Sequence, residues 1–181
     1  MDAIEVLKHE HKIVLKVLEA VRREARIIAD TGKVNFDKLE KILDFFRVFV
    51  DRCHHGKEEE YLFPKMQERG LPADKGPIPV MLHEHLGGRN TLKAVSEALS
   101  RAQQGDSAAQ GALAANLAIL EDHLRDHIAK EDEVLFPMAD KVLTPEDQQA
   151  LVAAFDQHEA GEIGPGVDEK YHRLAHELAE N

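Results

Sequence analysis

Tryptophan is absent from this 181-residue sequence, tyrosine occurs twice, and there is one cysteine. A single thiol, Cys53, forms no internal disulfide, which fits a reducing compartment. No apolar run reaches the roughly 18 residues that a membrane-spanning helix needs. The opening stretch from Met1 to His11 lacks the basic and apolar segments of a secretory signal, so a cytoplasmic location is expected. Basic charge is scarce, with 23 Lys and Arg against 34 Asp and Glu, for a net charge of −11. Such a surface repels phosphate, which argues against a nucleic-acid partner and against docking on anionic lipid. Alternating apolar and polar runs are missing, so no strand is expected. No cysteine pair, Ser-His-Asp arrangement or phosphate-cradling glycine loop occurs, which argues against hydrolase and kinase chemistry.

What the sequence does have is helix-forming residues and eleven histidines. Apolar residues recur at three- and four-residue steps. The spacing predicts a first helix over residues 2–29, stopped at Asp30-Thr31-Gly32, and a second over about 37–69. A Gly- and Pro-rich loop follows from Gly70 to Pro79. A third helix is expected from near Val80 to Gln103, with Gly87-Gly88 tolerated for close packing of a neighbouring backbone. The fourth runs from about Ser107 to Lys141. Thr144-Pro145-Glu146-Asp147 is a good helix start for a fifth, reaching His158. Gly161, Gly164, Pro165 and Gly166 break the chain before a short last helix over about 168–179. The fold expected is all-α: an up-down-up-down four-helix bundle over residues 1–143, with a helical extension over 144–181 packed on it.

Two internal repeats carry the chemistry. His54-x-x-x-Glu58-Glu59-Glu60-x-Leu62-Phe63-Pro64 matches His127-x-x-x-Glu131-Asp132-Glu133-x-Leu135-Phe136-Pro137, with Lys57 opposite Lys130. Upstream, His9-Glu10-His11 matches His83-Glu84-His85. The separation from His11 to His54 is 43 residues and from His85 to His127 it is 42, so the chain reads as a duplicated helical hairpin.

His11, His54, Glu58, His85, His127 and Glu131 each continue the apolar stripe of their helix and so point inward. A buried ionised Glu is very costly unless paired or metal-bound. His and Glu at i and i+4 share a helix face and reach one site. Four imidazoles and two carboxylates from four helices therefore make a metal cage, whose donor set suits iron and also manganese or zinc.

These residues give the chain a resemblance to hemerythrin-like proteins, the HHE cation-binding family, of bacterial type. It rests on Glu10-His11, His54-x-x-x-Glu58 with Leu62-Phe63-Pro64, Glu84-His85 with Gly88-Arg89, and His127-x-x-x-Glu131 with Leu135-Phe136-Pro137, over about residues 3–140. The resemblance implies a hemerythrin-like bundle with two non-haem iron ions, carboxylate- and oxo-bridged, in which Glu58 and Glu131 span the metals. Invertebrate oxygen carriers have a fifth His one turn before the position of His85, where this chain has Met81. They also have Asp at i+5 where this chain has Glu131 at i+4. Those departures point toward bacterial members linked to oxygen or nitric oxide sensing, iron handling, or repair of iron centres.

The function expected is a di-iron protein that reacts with or senses dioxygen, nitric oxide or peroxide, or handles iron. The alternatives are a peroxide- or nitric-oxide-reactive enzyme or iron-centre repair factor, and a structural zinc or manganese bundle. Partners expected are a small diatomic or peroxide ligand, with a homodimer or a separate signalling partner. Around the six residues, His55 and Glu59 share i, i+4 spacing on a face that reads as more solvated. His123 lies one turn before His127, Tyr61 three residues after Glu58, and His172 in the extension; each is a candidate additional or supporting group. His158 and His176 read as surface residues.

Overall fold

The computed structural model describes residues 1–164 and 167–180, and every regular element among them is helical. The break expected at Pro165 and Gly166 lies outside the described residues. Helix α1 spans Ala3–Thr31, opened by a capping box in which Asp2 and Glu5 bond each other's backbone N–H, and closed by Gly32 at φ 67°. L side chains rarely adopt that conformation, which is why the helix ends at a glycine.

The second rod starts as α2, Phe36–Phe45, capped by Asn35. It continues as wide i→i+5 turns over Phe46–His55 and Glu58–Leu62, then as α3, Phe63–Glu68. The third rod is α4, Pro77–Gln103. The fourth is α5, Ser107–Lys130, a wide turn over Glu131–Leu135, and α6, Phe136–Val142. The four rods run up-down-up-down, with α1 on α5, α5 on α4, and α4 on the second rod.

The two Leu-Phe-Pro motifs do not close their helices. Proline lacks an N–H and its ring clashes with the carbonyl four residues back. The chain widens by one residue just before each Pro: Phe63 N–H bonds Glu58 O, and Phe136 N–H bonds Glu131 O. The helix then continues. Both wide turns begin on the motif glutamate.

Two apolar clusters form the core. One gathers Leu18, Phe45, Phe49, Leu117 and, from the extension, Tyr171 and Leu178. The other gathers Leu7, Phe63, Phe136, Leu151 and Phe155. The inward His and Glu residues of the repeats fall where one cluster gives way to the other along each rod, His127 being flanked by Leu124 and Ile128 of the first. Helix α7, Pro145–His158, belongs to the second cluster, and α8, Val167–Glu180, to the first. Arg69 holds Asp147 of α7 through Nε and a second nitrogen, and Tyr171 of α8 donates to Asp44 at 2.8 Å.

Candidate metal centre

The polar layer is built from the repeat. His11 on α1 and His54 on the second rod bring their Nε2 atoms to 3.0 Å. His85 on α4 and His127 on α5 do the same at 3.1 Å. Glu58 lies between the pairs: one carboxylate oxygen is 3.6 Å from His54 Nε2 and the other 3.3 Å from His85 Nε2. Glu131 mirrors it, at 3.3 Å from His127 Nε2 and 3.2 Å from His11 Nε2. All six side chains are at most 2% exposed. The structure thus brings together all six residues that the sequence singles out.

Behind each imidazole stands a carboxylate. His11 Nδ1 meets Asp132 at 2.9 Å, His54 Nδ1 meets Glu10 at 2.7 Å, His85 Nδ1 meets Glu59 at 2.7 Å, and His127 Nδ1 meets Glu84 at 3.0 Å. The carboxylates link the rods in a ring. Residues i−1 to the α1 and α4 histidines hold the histidines of the next rod, and residues i+1 to the two central glutamates hold those of α1 and α4. Such partners fix the tautomer, with Nδ1–H on the carboxylate and the Nε2 lone pair turned inward. Of these four carboxylates, the sequence reading singled out Glu59 as a supporting group. Glu10 and Glu84 stand in the sequence only as part of the motif, and no sequence signal marks Asp132 beyond its being the repeat partner of Glu59.

That arrangement leaves acceptors facing acceptors. Among the described residues, neither oxygen of Glu58 nor of Glu131 has a hydrogen-bond donor. Glu131 comes within 3.2 Å of His11 Nε2, but that nitrogen carries a hydrogen only if His11 takes a second proton. Burial alone would push His11 and His85 down. The bond to Asp132 and the facing Glu131 carboxylate outweigh it and lift His11 to about 10, and the facing Glu131 and Glu58 carboxylates with the bond to Glu59 lift His85 to about 11. Glu131 is held well below the usual carboxylate range: burial raises it, but His127, His11 and His85 outweigh that. The buried ammonium nearby, Lys57, is bonded to Glu10 and Glu159. The centre therefore calls for positive charge, as protons or as metal ions. Two sets of ligand atoms lie close enough to hold one: His11, His54, Glu58 and Glu131, and His55, Glu58, His85 and His127, each within 4.8 Å of one another.

His55 departs from expectation. The 100° wheel puts it on a solvated face, yet it is 4% exposed and its ring stacks on His85 at 3.8 Å. The wide turns over Phe46–His55 advance each residue by less than 100°, which carries His55 inward. Burial, and then the charge of His85, hold it well below its ordinary value, so its imidazole is neutral.

His123 donates from Nε2 to Glu84 O at 2.8 Å and packs on Gly87, where an added Cβ would come within 3.3 Å of its ring. The glycine pair in α4 thus accommodates a side chain, whereas the sequence suggested a backbone. Tyr61 packs on Phe155 and His158, and His172 on His9 and Phe49. His158 is not a surface residue: it is 5% exposed and donates to Arg52 O at 2.8 Å.

Residues 2–139 match the family described as Hemerythrin HHE cation binding domain. An uncharacterised protein of Mycobacterium tuberculosis is 26% identical over 164 residues, 91% of this chain and 64% of that protein. The iron-sulfur cluster repair protein YtfE of Edwardsiella ictaluri is 33% identical over 112 residues, 60% of this chain and 50% of its own. The zinc finger protein BRUTUS of Arabidopsis thaliana is 28% identical over 145 residues, 80% of this chain and 11% of its own. The chain spans less than two thirds of the length of these relatives.

Proposed function

The chain belongs to the hemerythrin HHE cation-binding family, and from that premise we propose that it holds a pair of non-haem iron ions. His11 and His54 would hold one ion and His85 and His127 the other, with Glu58 and Glu131 as the carboxylates available to both. The observation that carries this reading is the set of four buried carboxylate oxygens without a donor, faced by four imidazoles already held from behind. Imidazole with carboxylate is a donor set for iron, with manganese and zinc as competitors.

An iron pair bound there would supply redox chemistry toward dioxygen, nitric oxide or peroxide. The chain's own part is to orient and to dry the site. Glu10, Glu59, Glu84 and Asp132 keep each Nε2 turned inward, and the two apolar clusters exclude water. The bundle over residues 1–143 carries the centre, and the extension over 144–181 packs on it. A cytoplasmic protein answering to a separate partner or acting as a homodimer is the setting we infer. A second reading, delivery of iron or repair of iron centres, is favoured by similarity to a protein named for iron-sulfur cluster repair.

The test is anaerobic purification, metal analysis and an optical spectrum before and after oxygen. The expected result is about two irons per chain, with near-ultraviolet absorption that appears on oxidation. Two zincs, or no metal and no gain on reconstitution with ferrous iron, would overturn the redox reading. Transfer of iron to an apo iron-sulfur protein, without turnover of nitric oxide or peroxide, would select the second reading over the first.

A further inference from the structure

The two halves of the repeat are not sealed alike. In the second half, Lys130 bonds Glu84 behind His127, and that lysine side chain is 50% exposed. In the first half, Lys57 bonds Glu10 behind His54, and Lys57 is 0% exposed. The difference comes from the extension. Glu159, directly after α7, gives Lys57 its second carboxylate, and Phe155 covers the ammonium at 5.8 Å.

The docking point is a departure within the repeat. His54-His55-Gly56-Lys57 aligns with His127-Ile128-Ala129-Lys130, so Gly56 stands where the other half has Ala129. An added Cβ at Gly56 would lie 2.5 Å from His158 Nε2. The missing methyl therefore makes room for the ring that bonds Arg52 O and seats Glu159 on Lys57. Glu159, Lys57, Glu10 and His54 form an unbroken line of alternating partners running from the extension to an inward imidazole. Lys57, Glu10 and His54 are buried and Glu159 is 31% exposed, so charge interactions along the line are screened less than those of the half-exposed Lys130, which water and salt weaken.

We propose that Glu159 is a positioning residue for the metal centre, acting through Lys57 and Glu10 on His54. Docking of the C-terminal extension then sets the properties of the His11/His54 position and leaves the His85/His127 position alone. The inference rests on the di-iron reading and adds a direction to it: the extension makes two similar positions unequal. Without Glu159, Lys57 turns its full charge on Glu10. The carboxylate is then a weaker acceptor for His54 Nδ1–H, and the imidazole a weaker ligand.

The test compares E159Q and K130Q with the unaltered full chain, each loaded anaerobically with ferrous iron-57. Mössbauer spectra report the two iron environments separately, and chelator competition reports how firmly each ion is held. In E159Q one iron environment shifts, and that ion is lost to chelator up to about tenfold more readily, near the low end for an outer-shell change. In K130Q both environments stay nearly as they were. G56A, which displaces His158 without touching any charge, reproduces the one-sided change of E159Q. The proposal is overturned if E159Q alters neither iron, if it alters both equally, or if K130Q has the same effect. Failure of the unaltered chain to take up an iron pair removes the di-iron reading itself, and this inference with it.

Discussion

Each central imidazole has Nδ1 on a carboxylate and Nε2 turned toward acceptors, which makes the metal-free centre sensitive to pH. His11 at about 10 and His85 at about 11 stand above the ordinary 6.5. A raised folded-state value means that their stabilisation is full below about 6.5 and is lost as pH climbs toward 10 and 11. His55 and His127 are shifted down, burial being the main cause, so their contribution is lost as pH falls through 6.5. Between pH 7 and 9.5 the loss of the His11 and His85 protons governs. The melting temperature of metal-free protein is therefore expected to fall by several degrees across that window in thermal unfolding followed by circular dichroism. A flat or rising profile would show that protons do not stand in for the missing cations. Metal uptake near pH 7 displaces the same protons, so its heat should depend on the buffer's ionisation enthalpy.

At the scale of the element, the wide turns matter more than the helices around them. Glu58 and Glu131 each open a turn whose last N–H bonds five residues back, and each turn ends before a proline. Proline forbids the tighter bond at its own position, so it holds the wide turn in place. In Pro64→Ala the restored N–H lets the stretch before it tighten, which rotates Glu58 and Leu62 relative to His54. Metal content is expected to drop by half or more while helicity stays within a few percent. A variant that keeps full metal content would mean that core packing alone sets the turn. The first wide stretch also explains why a regular wheel misplaced His55. The i, i+4 argument survived at His54–Glu58 and His127–Glu131 because each pair is adjacent on one face whichever turn follows.

At the scale of the molecule, the polar centre lies between two apolar clusters, and the extension contributes to both. Helix α8 adds Tyr171, Leu174 and Leu178 to the cluster that contains Phe45 and Phe49. Arg23 bonds the carbonyls of Leu178 and Ala179 at 2.7 and 3.1 Å, satisfying two acceptors at its C-terminal end. Leu178 is 2% exposed, and truncating such a core leucine costs about 2–5 kcal/mol. Leu178→Ala is expected to lower the unfolding free energy from denaturant melts by that amount without changing metal per chain. Loss of metal in proportion to stability would instead make the whole bundle and its centre one cooperative unit.

The helical class, the rod boundaries to within a few residues, and the six residues that converge are legible in the order of amino acids alone. They are legible there because a two-fold repeat shows each inward position twice, and because helical periodicity is a local property of the chain. What stands behind the imidazoles is not. Glu10 bonds His54 and Asp132 bonds His11 across 44 and 121 residues, and no spacing rule within one helix reaches that far. Nor does the order of amino acids reveal that His55 and His158 are buried. The first depends on a change of helical pitch, and the second on a groove left by the missing side chain of Gly56. Pairings between rods, and the seat of the extension, are set by which surfaces meet once the four rods close, which no local pattern encodes.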